Sequence, residues 1–431
     1  MKKLLLVAYS IVQLGFIQAQ NFTYNISLKQ VSFSGTDYYS VKKDSSTGAY
    51  STPQWKSSPS TSNPIAYKSG SYMNATATFE LNCSNAPASV QVRGFGTDSF
   101  NFPVQTIAIP TSTTAPKTII YPVINSTKMF EANKVKYYNY IINWEMSFDG
   151  GVHWYPAGTS TNKLYVTWHA IAPENVGRGY QWFHTLFELS CKSANNATSE
   201  DSIIAQTYRE FQDNDVKTWD GSPLKYYERL YSPNSQTDEL LYDHTGQCYC
   251  WAHLFIDVLK IQGIIKTNNY INIRAQSVST SCGSIGSFLV KNWTFSTPTD
   301  SIACSDMPYK NYYDANFWSN DVYYPFTYTE VSDQTGLIGQ TAPNPASYFS
   351  NHQICFINGK YYDPSYGLMY NTLSDIRAGI DGWSIRITTN ESAEGYDING
   401  DSVFSPGVTV YKMRATRNVN ASNFVQTVAS Y

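Results

Sequence analysis

Asn358 and Gly359 separate two runs of alternating residues, Asn351 to Ile357 and Lys360 to Asp363. No other short feature constrains the fold of this chain as tightly. An Asn-Gly pair between such runs predicts a two-residue hairpin, because both residues tolerate the positive φ that the turn requires. The turn then fixes the register: Ile357 opposes Lys360, Cys355 opposes Tyr362 and Ile354 opposes Asp363. Side chains alternate with period two, so His352 shares the face of Ile354. His352 and Asp363 become diagonal neighbours within hydrogen-bond reach. A histidine backed by a carboxylate is the base-and-orienter half of a nucleophilic triad.

A nucleophile is offered about a hundred residues earlier. His244 to Phe255 reads His-Thr-Gly-Gln-Cys-Tyr-Cys-Trp-Ala-His-Leu-Phe. The spacing of Trp251, Phe255, Val258 and Leu259 predicts a helix over Cys248 to Gln262, closed by Gly263. A thiol on the first residue of a helix sees backbone N–H groups and the positive end of the dipole, both of which stabilise a thiolate. Gly246 lets the chain enter tightly, and the N–H groups there can cradle an oxyanion. Cys250 lies about 200° around the helix from Cys248, so only one of the two can face His352.

These two segments together resemble the transglutaminase-like superfamily. Gly246, Cys248, Ala252, Leu254, Phe255, Gly263 and Ile264 fill the positions of its catalytic helix. Asn358-Gly359-Lys360-Tyr361-Tyr362-Asp363-Pro364-Ser365-Tyr366-Gly367, with the preceding His352, is similar to its His and Asp strands. The resemblance directly covers about fifty of the 431 residues. It implies a papain-like fold, with a cysteine helix packed on an antiparallel sheet. It also implies amide-bond chemistry through a thioester, with Cys248, His352 and Asp363 as catalytic triad. The interval between Cys248 and His352 is longer than the family's usual one, which implies an elaborated segment before the histidine. No cofactor is expected.

The rest of the chain sets the context. Lys2 and Lys3, an apolar run from Leu4 to Ile17 and the small Ala19 predict a signal peptide over residues 1–19. The mature chain is then expected to be secreted or periplasmic, without a membrane span. Formal net charge is −3 with no basic cluster, which excludes nucleic acid as an expected partner. Charged residues are 15% of the chain, below the usual quarter, so the surface is polar through hydroxyls and amides. The nine Asn-x-Ser/Thr sequons follow from that composition and do not establish glycosylation. Seven cysteines are too few and too scattered for a disulfide scaffold and leave at least one thiol free; Cys282 and Cys304 are the expected pair.

Residues 20–173 alternate in short strands between Gly, Pro, Ser and Asn clusters. They predict an all-β sandwich, immunoglobulin-like in kind, with Ser45 to Ser62 as a long loop. Residues 174–431 predict an α+β domain, with a helix over Thr198 to Phe211 capped by Thr198. The expected architecture is therefore multidomain, a β-sandwich followed by a papain-like domain. His153, His169 and His184 show no metal-ligand spacing. His244 and His253 are expected to be structural or solvent-facing. Asp397 to Asp401 lacks the Gly and Glu of a calcium loop and is expected to be a turn. Two functions are open: a cysteine-dependent peptidase, amidase or acyl transferase acting on protein or peptide, or an adhesion or polymer-binding protein with an inactive catalytic domain. The oligomeric state is left open.

Overall fold

The computed structural model describes residues 24–431 except 45, 47, 84–86, 112–115, 227–233, 275–284, 291–301, 304–315, 320–321, 326–337, 343–347, 350, 379, 393–395, 398–403, 406–408 and 418–424. The expected signal peptide, the Cys282–Cys304 pair and most of the Asp397–Asp401 turn fall outside the described residues. The chain is β-rich, with several sheets and few helices. Among the described residues no helix is long and apolar enough to cross a membrane.

Two sheets enclose one core in the N-terminal part. The first runs Ser60–Ser62, Trp55–Ser57, Tyr24–Ser34, Tyr72–Cys83, Lys117–Met129. The second runs Tyr38–Tyr39, Ile65–Lys68, Tyr155–Thr167, Lys136–Ser147, Ser89–Gly96, Phe102–Ala108. Phe79, Tyr121, Ile142, Trp144 and Leu164 meet between them, where burying each apolar side chain contributes about 2 kcal/mol. Two expectations need correction. The segment from Ser45 to Ser62 contains the paired strands Trp55–Ser57 and Ser60–Ser62 rather than loop alone. Tyr155–Thr167 is one strand of 13 residues, where the alternation predicts separate strands over Val152 to Tyr155 and Lys163 to Trp168. Its inward positions Ser160 and Asn162 are polar and break the apolar alternation. Asn162 is nonetheless buried, because its Nδ2 donates to Asn63 O at 2.8 Å.

A second core joins the sandwich to the helices. Val41, Ala66, Val135 and Tyr165 pack with Phe187, Tyr208, Phe211, Trp251 and Phe255. The His184–Phe187 helix continues into a π turn over Glu188–Lys192. Nearly every residue there is buried, so it carries no amphipathic pattern by which the sequence could announce it. The next helix is Glu200–Gln212, capped by Ser199, whose hydroxyl accepts from Ser202 N at 3.3 Å. The cap thus lies one residue beyond the expected Thr198.

The Cys248–Ile261 helix is buried on every side except at Tyr249. It lies between helices and the antiparallel sheet Leu368–Tyr370, Lys360–Asp363, Asn351–Ile357, Tyr270–Arg274, Val425–Ala429. Its C-terminus follows the expectation: Gly263 has φ +74° and Ile264 N donates to Leu259 O at 3.1 Å. A Cβ at Gly263 would lie 2.5 Å from Ala170 O, so only glycine satisfies both the turn and the space. A further sheet includes the long paired strands Ile380–Ser392 and Thr409–Arg417.

Candidate active site

The hairpin folds in the expected register, with Cys355 opposite Tyr362, Phe356 opposite Tyr361 and Ile357 opposite Lys360. Asn358 and Gly359 take φ of +49° and +77°, as a two-residue turn demands. The register delivers the diagonal contact: His352 Nε2 lies 2.7 Å from Asp363 Oδ2. The other carboxylate oxygen accepts the Ser365 backbone N–H at 3.2 Å. Asp363 is therefore held from two directions, and it aims the imidazole rather than following it.

The thiol comes from the helix. Gln247 stands at its N-cap without capping it by side chain. A missing cap forgoes about 1 kcal/mol, which burial of Trp251 and Leu254 more than offsets. Packing thus holds this helix start, and Cys248 stands as its first residue. Cys248 lies near enough to His352 to act on the charge of its ring. Burial pushes the imidazole toward its neutral form. The Asp363 carboxylate beside it, and then Cys248, act oppositely and prevail, so the pKa of His352 is raised above its ordinary value. Such a ring holds its proton to higher pH than an ordinary imidazole does.

Cys250 is turned elsewhere. Its Sγ donates to Asn234 O at 2.8 Å, and burial pushes its pKa well above that of an ordinary thiol. Cys355 is likewise buried, with Sγ 3.3 Å from Ala252 O. All five cysteines among the described residues are free thiols, and of these Cys248 is the one that acts on the charge of His352. Gly246 has a spatial reason: a Cβ there would lie 2.7 Å from Cys250 Sγ.

Three further histidines have partners of their own. His153 pairs with Asp149 on the surface at 2.6 Å. His184 is buried between Tyr50 and Tyr165, stacked on Trp219. His253 is buried rather than solvent-facing, with its ring flat on Tyr431 and Nδ1 2.7 Å from Ser235 O. Among the described residues no group of three or more His, Cys, Asp or Glu side chains could hold a metal ion.

Sequence reasoning missed Tyr226 and Gln340, which pair with the segments that carry the site, and gave Tyr366 no role of its own. Tyr366 is three residues past Asp363, and its ring centroid lies 5.8 Å from that of His352. Tyr226 pairs with Gly246 in a short parallel ladder. Only the chain's return to the site, through contacts distant in sequence, shows them to be neighbours. No protein-family model matches this sequence, and no curated protein is significantly similar to it.

Proposed function

We propose that the chain is a secreted cysteine enzyme of the transglutaminase-like kind, an immunoglobulin-like sandwich followed by a papain-like domain, acting on amide bonds of a protein or peptide. The observation that carries this is the buried series Cys248–His352–Asp363, with a 2.7 Å bond between the last two. Cys248 attacks the amide carbonyl carbon, and the N–H groups of the helix start receive the charge that develops on oxygen. The C–N bond breaks, and the departing amine takes the proton that His352 holds. A thioester on Cys248 remains. His352 then takes a proton from the acceptor as it attacks the thioester, and the sulfur leaves as thiolate. With water as acceptor the product is an acid; with an amine it is a new amide. Nucleophile, base and orienter are all side chains of this chain, so the chemistry calls for no cofactor.

Hydrolysis ranks above transfer, since water is the most abundant acceptor and the triad itself does not select an amine. The test is incubation with a glutamine-bearing protein and a labelled primary amine, following both products. Release of acid or peptide in excess of amine incorporation is expected. Dominant incorporation would reverse the ranking. Absence of both products across a broad panel, with Cys248 reduced, would favour the adhesion-protein alternative. Iodoacetamide at neutral pH is expected to label Cys248 faster than Cys250 and to do so more slowly in His352→Ala. Cys248 is 2% exposed, which is why the reagent must be small.

A further inference from the structure

Tyr208 lies on the helix Glu200–Gln212 and is 2% exposed. Its ring meets Phe255 of the cysteine helix edge-on at 5.0 Å, with an interplanar angle of 62°. It meets Tyr362, the residue before Asp363, at 4.7 Å and 70°. One side chain thus touches both the element that carries the thiol and the strand that carries the carboxylate.

The hydroxyl adds a third tie. Tyr208 OH donates to Leu368 O, and Leu368 is the cross-strand partner of Asp363. Burying a hydroxyl costs free energy that one hydrogen bond only about recovers. Phe211 and Phe255, whose rings lie 5.9 and 5.0 Å from that of Tyr208, show that a plain ring suits this core. The phenol at this position is therefore explained by its bond to Leu368.

The turn between Asp363 and Leu368 is pressed onto the same helix. Gly367 has φ +66°, and a Cβ there would lie 2.5 Å from Phe211 O and 2.9 Å from Gln212 Cα. The backbone that follows Asp363 is consequently seated on the last turn of this helix, and Tyr208 bonds it from the turn before. Phe211 in its turn meets Trp251 of the cysteine helix edge-on at 6.5 Å. The helix Glu200–Gln212 braces thiol and carboxylate without supplying a member of the triad.

We propose, on the reading that Cys248, His352 and Asp363 act together, that Tyr208 is a positioning residue. Its hydroxyl holds the strand beside Asp363 and so sets the carboxylate against His352, while its ring ties that strand to the cysteine helix. Tyr208 acts through Asp363 and contacts no substrate.

The experiment is the pH–rate profile of Cys248 alkylation by iodoacetamide, which needs no knowledge of the substrate. It is read on the full chain in the native form and in His352→Ala, Asp363→Asn, Tyr208→Phe and the double variant Tyr208→Phe with Asp363→Asn. Tyr208→Phe keeps the ring and removes the bond, and is expected to slow labelling at neutral pH about tenfold, as misplacing a group does. A protonated imidazole near a thiol favours its thiolate, and Asp363 is what keeps that proton on His352. A loosened Asp363 should therefore move the midpoint of the profile to higher pH. The double variant is expected to label no more slowly than Asp363→Asn alone, because Tyr208 has no charge left to position. Should Tyr208→Phe fail to fold, Tyr362→Leu carries the same comparison, since it removes the ring that seats Tyr208 beside Asp363. A native-like profile in Tyr208→Phe, with Asp363→Asn slowed, overturns this inference and leaves the triad standing. Slower labelling with an unmoved midpoint, or losses that add in the double variant, also overturns it, as a merely structural role. Labelling indifferent to His352 and Asp363 overturns the catalytic reading itself, and this inference with it.

Discussion

Asp363 Oδ2 lies 2.7 Å from His352 Nε2 while Asp363 Oδ1 is occupied by the Ser365 backbone N–H. The carboxylate cannot rotate away without losing both bonds, and its partner ring is 1% exposed. Asp363→Asn preserves shape but removes the charge that keeps the proton on His352. Amide turnover is expected to fall by about a hundredfold or more, while the thiol remains present by mass and the thermal midpoint moves by a few degrees. Unchanged turnover in this variant would remove Asp363 from the mechanism.

The hairpin was legible because its information is local. An Asn-Gly turn sets a register, a register sets faces, and faces bring His352 to Asp363. The cysteine helix was legible by its apolar residues and its closing Gly263, although its burial on all sides was not. That burial comes largely from Tyr431 and the sheet, both distant in sequence. The π turn at Glu188–Lys192 and the polar-lined strand Tyr155–Thr167 were illegible for a shared reason: neither presents the apolar period by which a pattern is recognised. The approach of Tyr226 and Gln340 to the site segments depends on long-range backbone hydrogen bonds that no spacing encodes.

Gly246 is expected to be intolerant of any side chain. A Cβ would meet Cys250 Sγ at 2.7 Å and Cys250 Cβ at 2.8 Å, neither at the end of a flexible arm. Relief requires the helix start to shift, and Cys248 shifts with it. Gly246→Ala should destabilise the chain by about 1–3 kcal/mol, the usual penalty of overpacking, and slow Cys248 labelling. Pairing it with Cys250→Ala, which vacates the clashing sulfur, should restore part of the stability. Chemical denaturation of the two variants checks this, and no recovery in the pair would mean the clash lies elsewhere.

The N-terminal sandwich is expected to fold alone. Its core, from Leu28 to Val166, is drawn entirely from residues of the two sheets and the connections between their strands. A fragment of residues 20–173 should unfold cooperatively in urea. It would expose Val41 and Tyr165, which the helices otherwise cover, so it should be less soluble than the full chain. Gradual, non-cooperative loss of structure would show one interlocked unit.

The joint between sandwich and helices is expected to weaken in mild acid through His184. Its Nδ1 is 3.0 Å from Tyr50 OH and its Nε2 2.8 Å from Tyr165 OH, with Trp219 stacked on its face. Burial, and then the charge of Lys163, push its pKa down to about 3. The unfolded ring protonates near its ordinary 6.5. Between these values the unfolded state binds a proton that the folded state refuses. The contribution of His184 is thus full above 6.5 and declines as pH falls toward about 3. From pH 7 to pH 5 the loss is about 2 kcal/mol. His253, lowered to about 4 chiefly by burial, acts in the same direction. Asp44 and Asp257, both raised to about 6 chiefly by burial, act oppositely, so the total pH dependence does not isolate the histidine. The difference between the native chain and His184→Gln does. That difference in unfolding free energy should shrink by about 2 kcal/mol between pH 7 and pH 5, as the native chain loses what the variant never had. A constant difference across that interval would show that His184 does not titrate there on unfolding.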